Sequence, residues 1–314
     1  MPLNVAIQMD PMEKVNIAGD SSFAIMLSGQ ARGHRLWHYD VKHLSYAADG
    51  ALKARARPVT VQRVESDHYE FGDWETIDLR GDIDVVLMRQ DPPFDLSYIT
   101  ATHLLERIQP DTLVVNDPDA VRNAPEKIFV LDFAEFMPPT LITRSLDDVR
   151  AFQREHGEIV VKPIYGNAGT AVFKLDPDDG NLPALTELFS QVWVEPFMVQ
   201  AFLPDVSQGD KRIILVDGEP TGGVNRLPKK GEIRSNFAVG GSGAASELTP
   251  RELEICEALG PELKKRGLLF VGIDVIGGYL TEINVTSPTG IVSIDAFNGT
   301  DTGAKIWNAI ESKL

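Results

Sequence analysis

Short, mostly apolar runs punctuate the first third of the chain. Val5–Met9, Leu36–Tyr39, Val85–Met88 and Thr112–Asn116 each have the length of a strand. Asp20-Ser21-Ser22 offers a cap for a helix over Phe23 to about Arg32, stopped by Gly33, and a second helix is predicted near Ser97–Arg107. Strand, helix, strand, repeated once, predicts a parallel α/β unit, whose ligands bind at the carboxyl ends of the strands. No glycine fingerprint for a dinucleotide follows Met9, so a nicotinamide cofactor is set aside.

From about Asn123 the texture changes. An apolar stretch, Ile128–Phe133, leads to Pro138-Pro139-Thr140 and a short strand, and a domain boundary is predicted near Arg122. Ile159–Pro163 and Met198–Leu203 read as strands, and so does the run after Arg212, which turns at Asp217-Gly218. Thr249-Pro250-Arg251-Glu252 is a capping-box start for a helix to about Arg266, and a final helix is predicted near Asp301–Ser312.

Between those helices lies the most informative pattern, Leu268–Ile276 and Leu280–Val285 flanking Gly277-Gly278, which predicts a hairpin. With a two-residue loop, Asp274 would face Thr281, and Val271, Ile273 and Val275 would share a face with Glu282 and Asn284. With the three-residue loop Gly277-Gly278-Tyr279, Ile276 pairs with Leu280 and Asp274 lies opposite Glu282. One face then carries Val271, Ile273, Val275, Ile283 and Val285, all apolar, and the other carries Asp274, Glu282 and Asn284. Hydrophobic consistency favours the three-residue loop. The polar face is either a ligand set for a hard cation, Mg²⁺ or Mn²⁺ rather than zinc since neither His nor Cys accompanies it, or a solvated sheet face.

With 314 residues, 43% of them hydrophobic and 24% charged, the chain is long enough for two or three packed domains. A formal net charge of −16 argues against nucleic acid or an anionic membrane as partner. The single cysteine, Cys256, falls in a predicted helix, rules out an intrachain disulfide and fits a reducing compartment. Neither a secretory leader nor a run long enough to span a membrane is present, so a cytoplasmic protein is expected.

Four further stretches carry candidate chemistry. Arg89-Gln90-Asp91-Pro92-Pro93-Phe94 follows a strand, and its prolines stiffen a loop in which Arg89 either grips a carboxylate or pairs with Asp91 to hold the loop. Lys162 precedes Tyr165-Gly166-Asn167-Ala168-Gly169-Thr170, which is either a phosphate cradle or a plain turn; its spacing is not that of a Walker A loop. Asp210, Lys211 and Arg212 enter a strand together, either paired in the interior or solvated at its start. Leu227–Gly243, with Lys229, Lys230, Arg234, Asn236 and four glycines, is either a mobile lid or a surface loop.

Taken in order, Asn123–Lys127, Val161–Pro163, "GDKR" at Gly209–Arg212, "FVGIDVIG" and "TEINVTSPT" resemble an ATP-grasp ligase. With Asp10-Pro11 and Arg89–Phe94 added, nearly the whole chain resembles the prokaryotic glutathione synthetase family. The resemblance implies an amino-terminal parallel α/β domain (1–122), then a two-part ATP-grasp α+β fold made of a central subdomain (123–200) and a carboxyl-terminal catalytic subdomain (201–314), with 227–243 as a mobile loop. It implies ligation of glycine to γ-glutamylcysteine through an acyl phosphate formed from ATP. Lys127 and Lys162 would contact ATP, with Tyr165, Gly166, Asn167 and Gly169 in the phosphate loop, Gln200, Ala201, Phe202 and Leu203 along the adenine, and Asp210 at the ribose. Mg²⁺ or Mn²⁺ would be held by Asp274, Glu282 and Asn284. Arg212 would stabilise the acyl phosphate, Arg234 and Asn236 would act from the loop, and Arg89, Asp91, Arg226, Ser287 and Thr289 would contact the peptide. A homo-oligomer, dimer or tetramer, is also implied.

The chain departs from the family pattern at Tyr165, where an Asp is expected, at Ala168, where a glycine is expected, and at Ser242, where a basic residue is expected. Rival readings are another ATP-grasp carboxylate–amine ligase, such as one resembling D-alanine–D-alanine ligase or an amino-acid ligase, and a non-catalytic nucleotide-binding regulator. The retention of Arg212, Glu282 and Asn284 together weighs against the regulator. A hydrolase lacks its parts, since no G-x-S-x-G occurs and the histidines form no metal-ligand set.

Overall fold

The computed structural model describes residues 1–166, 169–177, 179–236 and 240–314. Its first sheet starts as the apolar runs predict. β1 (Asn4–Gln8) lies between β2 (Arg35–Tyr39) and β7 (Val85–Met88), and β8 (Leu113–Val115) follows β7, all parallel. An antiparallel extension joins this core: β3 (Leu44–Tyr46), the long β4 (Leu52–Val61), β5 (Tyr69–Phe71) and β6 (Glu75–Asp78). β4 pairs with β2, β3, β5 and β6.

Helix α1 (Ser21–Ala31) begins two residues before the predicted Phe23, because Asp20 is the N-cap and accepts from the Phe23 backbone N–H at 2.8 Å. Ser21 and Ser22 thus lie in the first turn with their hydroxyls free for other partners. α2 (Leu96–Leu105) and α3 (Pro118–Arg122) are capped in the same way by Asp95 and Asp117.

The central unit is an antiparallel sheet in the order β11 (Phe173–Leu175), β10 (Ile159–Pro163), β12 (Phe197–Ala201), β9 (Thr140–Thr143). Helices α4 (Leu146–His156) and α5 (Leu182–Val192) cover one face, where Val149, Leu185 and Phe189 join Ile159, Val161 and Val199 in a core of their own.

The last unit is a five-stranded antiparallel sheet. Its order is β15 (Ser242–Ala245), β14 (Glu219–Leu227), β13 (Asp210–Val216), β16 (Phe270–Ile276), β17 (Tyr279–Asn284), accompanied by α6 (Pro250–Lys265), α7 (Ile291–Asn298) and α8 (Thr302–Glu311). The capping box at Thr249 and Glu252 forms as expected, and Cys256 is buried inside α6. Trp307 of α8 lies so close to Gly29 of α1 that a β-carbon there would meet its ring at 2.5 Å, and the indole N–H donates to the Ile25 carbonyl at 2.9 Å. The first and last units therefore share an interior.

The hairpin of β16 and β17 corrects the predicted loop. Ile276 pairs with Tyr279 and Val275 with Leu280 across the two-residue turn Gly277-Gly278, whose φ angles of 56° and 80° suit a tight hairpin turn. A bulge then shifts the register, so that Asp274 lies opposite Glu282 and Ile273 opposite Ile283. The extra residue is Thr281 rather than Tyr279, and its hydroxyl donates to the Asp274 carbonyl at 3.1 Å.

Candidate functional site

A cavity of about 470 Å³ opens between the central and last sheets. Its floor is set by alternation along β13. Asp210 and Arg212 face the cavity, while Lys211 turns the other way, to Glu252 at 2.7 Å and the Glu247 carbonyl at 2.8 Å. The three charges that enter this strand are thus buried and paired.

Across the sheet, Arg212 stands opposite Asp274 and Asp210 opposite Arg226. Arg212 grips Asp274 through Nε at 2.5 Å and Nη2 at 2.9 Å, a bidentate fork. Arg226 Nη2 reaches both Asp274 at 2.9 Å and Asp210 at 2.6 Å. Burial works to raise the Asp274 carboxyl, but the guanidiniums of Arg212 and Arg226 outweigh it and hold it well below the usual carboxylate range. Burial keeps Asp210 raised, against the pull of Arg226. Ser235 Oγ donates to Asp210 Oδ2 at 3.0 Å, and Asp210 Oδ1 has no partner among the described residues.

A second charge cluster faces the first. Lys127 Nζ contacts Glu126, donates to the Gly166 carbonyl at 2.6 Å and lies 3.4 Å from Glu282, with Lys162 Nζ 3.8 Å from the same carboxylate. Burial disfavours the Lys127 ammonium, yet Glu282 and Glu126 raise it above its ordinary value. Burial prevails at Lys162 and lowers it. Thr281 and Glu282 both line the cavity beside Asp274 and Asn284, the consequence of the bulge.

These oxygens fit a hard cation. Glu282 and the Asn284 amide share the cavity with Asp274; among the described residues Asn284 Nδ2 has no acceptor, and the amide oxygen is the atom that could face a cation. Among the described residues no three His, Cys, Asp or Glu side chains cluster to hold a metal, so an ion here would take phosphate or water oxygens as well.

At the far end Gln200, Ala201, Phe202 and Leu203 line the wall with Val160, Val206 and Ile233. Gln200 Nε2 donates to Thr140 Oγ1 at 2.9 Å. Gly166 and Gly169 form the rim, and Asn167 and Ala168 lie outside the described residues. The basic loop rests on this rim: a β-carbon on Gly169 would meet Arg234 Cδ at 3.2 Å and Asn236 Oδ1 at 3.3 Å. Glu232 holds Arg234 at 2.6 Å, and the hydrogen bond from Arg234 draws the Glu232 carboxyl down to about 2.

Asp91, Arg226, Ser287 and Thr289 line the cavity as well. Two expected residues do not. Tyr165 turns into a neighbouring cleft and stacks on Phe94, with ring centroids 6.1 Å apart, and Arg89 is buried behind the wall. A guanidinium and a phenol were read from their position beside strand ends, which says nothing of where their side chains point. Glu126 and Ser235 were not singled out in the sequence. Glu126 could have been found as the acidic neighbour of Lys127, whereas nothing in the sequence marks Ser235.

Residues 3–122 match the family model described as prokaryotic glutathione synthetase, N-terminal domain, and residues 126–299 match the one described as prokaryotic glutathione synthetase, ATP-grasp domain. The glutathione synthetase of Rhodopseudomonas palustris is 56% identical over 313 residues, covering 100% of this chain and 99% of its own length. That of Brucella melitensis is 55% identical and covers 100% of both. Among solved structures, the D-cycloserine synthetase DcsG aligns with a TM-score of 0.70 at 14% identity over 99% of this chain and 100% of its own, a likeness of fold. The ATP-grasp ligase PsnB complexed with minimal precursor aligns with a TM-score of 0.66 at 17% identity, over 100% of this chain and 99% of its own. The chain belongs to the prokaryotic glutathione synthetase family.

Proposed function

We infer that this protein is an ATP-dependent ligase that joins glycine to γ-glutamylcysteine and yields glutathione, ADP and phosphate. The observation that carries the reading is one cavity in which Asp274, Glu282 and Asn284 face Lys127 and Lys162, with Arg212 and Thr289 beside them.

ATP is the co-substrate. Its adenine would lie along Gln200–Leu203, its ribose would meet Asp210, whose Oδ1 has no partner among the described residues, and its phosphates would lie between Lys127, Lys162 and the Gly166–Gly169 rim. Mg²⁺ or Mn²⁺ at Asp274, Glu282 and Asn284 would neutralise phosphate charge when bound. A carboxylate is a poor electrophile, and transfer of a phosphoryl group to its oxygen creates a leaving group for attack by the glycine amine. Arg212 would stabilise the developing negative charge, a role for which fixed donors contribute about 3 kcal/mol. Asp91, Arg226, Ser287 and Thr289 would orient the peptide. The loop 227–243, carrying Arg234 and Asn236, would shield the acyl phosphate from water.

The same reading divides the chain into an amino-terminal domain (1–122), a central subdomain (123–200) and a catalytic subdomain (201–314), acting in the cytoplasm as a dimer or tetramer. No helix among the described residues is long and apolar enough to cross a membrane.

The test is ADP release by the purified protein with ATP, a divalent cation and γ-glutamylcysteine, with and without glycine, while the tripeptide is followed by mass spectrometry. ADP and glutathione in equal amounts, dependent on both substrates, are expected. Nucleotide binding without either product would overturn the substrate assignment and send the search to other carboxylates and amines.

A further inference from the structure

Arg89 lies one residue past β7, at the edge where a parallel sheet presents ligand-binding groups. It is nevertheless only 6% exposed and absent from the cavity lining. Its Nε donates to Ser22 Oγ at 3.0 Å and its Nη2 to the Pro288 carbonyl at 3.0 Å, with the guanidinium carbon 5.1 Å from the centre of the Phe270 ring. A buried guanidinium is costly, so contacts of this kind persist where they hold something in place.

What they hold is the loop after β17. Gly290 N–H donates to Ser21 Oγ at 3.1 Å, and Ser287 Oγ donates to Asp91 Oδ1 at 3.0 Å. Asp91 is itself fixed through its backbone N–H, which donates to Asp10 Oδ2 at 2.9 Å. Three points on the amino-terminal unit therefore fasten Ser287–Gly290. The loop in turn touches Arg212, whose Nη1 donates to the Thr289 carbonyl at 3.3 Å. Space there is tight: a β-carbon on Gly272 would meet Arg212 Cδ and Pro288 Cβ, each at 3.1 Å.

We propose that Arg89 is a positioning residue, not a ligand for the substrate carboxylate: with Ser21 and Ser22 it clamps the 287–290 loop so that the Thr289 carbonyl keeps Arg212 aimed at the reacting centre. The assignment rests on Arg212 acting in the ligation described above. It also gives the amino-terminal unit a part in chemistry carried out by the other two. A displacement of about 1 Å at a catalytic group can cost about a hundredfold in rate, so a clamp of this kind acts first on turnover, with a smaller effect on peptide affinity through Ser287 and Thr289 of the clamped loop.

The test is steady-state kinetics of Arg89→Lys and Ser22→Ala, together with Arg212→Lys and the Arg89→Lys/Arg212→Lys double variant. Lysine keeps the charge but cannot span Ser22 and Pro288 together. We expect kcat to fall about tenfold in Arg89→Lys, with KM for ATP within about twofold of the wild type and KM for γ-glutamylcysteine raised by no more than about threefold. In the Arg212→Lys background the Arg89 substitution should have little further effect, since nothing remains to be aimed. Ser22→Ala removes only one anchor; it should show the same loss, dominated by kcat, at smaller size, and it carries the test if Arg89→Lys does not fold. A tenfold or larger rise in KM for γ-glutamylcysteine with kcat retained would overturn the proposal in favour of direct substrate contact, and so would additive losses in the double variant. Absence of glutathione from the wild-type control would overturn the functional reading and this one with it, which separates the two failures.

Discussion

Asp274 and Glu282 face each other across one hairpin, yet each is balanced by a different pair of cations. Arg212 and Arg226 hold Asp274, while Lys127 and Lys162 flank Glu282. Removing one partner of a buried charge group costs far more than the group contributes, because the survivor is left uncompensated. Glu282 is the less enclosed of the two carboxylates, with its side chain 20% exposed, and Lys127 keeps Glu126 as a second partner. Glu282→Gln is therefore expected to leave the fold intact and to act on function. Turnover should fall by about a hundredfold or more, the scale of losing one fixed electrostatic contact to a transition state, and binding of a non-hydrolysable ATP analogue should weaken. ADP release and titration calorimetry would measure the two effects. Wild-type turnover in this variant would sink the role given to Glu282.

The same hairpin shows how far an element can be read from its residues. The apolar positions Val271, Ile273, Ile283 and Val285 demand a register in which Asp274 meets Glu282, and the strands adopt it. Where the extra residue sits was not legible, because a three-residue turn and a two-residue turn followed by a bulge lead to the same pairing further along. The choice is made by Gly277 and Gly278, both able to take the left-handed conformation, and by the Thr281 hydroxyl bonded to the Asp274 carbonyl. Gly277 is further confined, since a β-carbon there would lie 2.8 Å from Asp205 Oδ2. Gly277→Ala should accordingly destabilise the protein by about 1–2 kcal/mol, the cost of a left-handed residue with a side chain. Urea unfolding would measure it, and an unchanged midpoint would mean that the turn relaxes into the longer loop. The residues from Leu44 to Asp78 were not legible as strands: β3, β5 and β6 are three or four residues long and acquire their pairing only from β4. Short strands carry too few alternations to signal themselves.

At the scale of the whole molecule, the four parallel strands of the first sheet were legible from its apolar runs, but the ties between units were not, since they join residues far apart in the chain. His34 is one such tie. Its Nδ1 accepts from the Leu3 backbone N–H at 3.2 Å, which places the proton of the neutral ring on Nε2, facing Glu311 at 3.1 Å. Burial lowers its pKa below the usual 6.5 despite the opposing influence of Glu311. The unfolded chain then binds more protons, so stability is fully present above about 6.5 and is lost as pH falls through the depressed folded value. His34→Gln keeps an acceptor for Leu3 and should flatten the slope of stability between about pH 7 and 5; an unaltered slope would exclude His34 as its source. Asn116 is a second tie and a stronger one. From the end of β8 its Nδ2 donates to the carbonyls of Phe270 at 2.8 Å and Val285 at 2.7 Å, and its Oδ1 accepts from Phe270 N–H at 2.8 Å. The residue is 4% exposed, so water cannot readily replace it. Asn116→Ala would strand a buried N–H and weaken two carbonyl contacts, at about 1–3 kcal/mol for each group left unsatisfied. A loss of about 3 kcal/mol in denaturant unfolding is expected. The first and last units should still unfold together, because the packing of Trp307 on Gly29 persists. Separate transitions for the two units would show that Asn116, and not the α1–α8 contact, is what joins them.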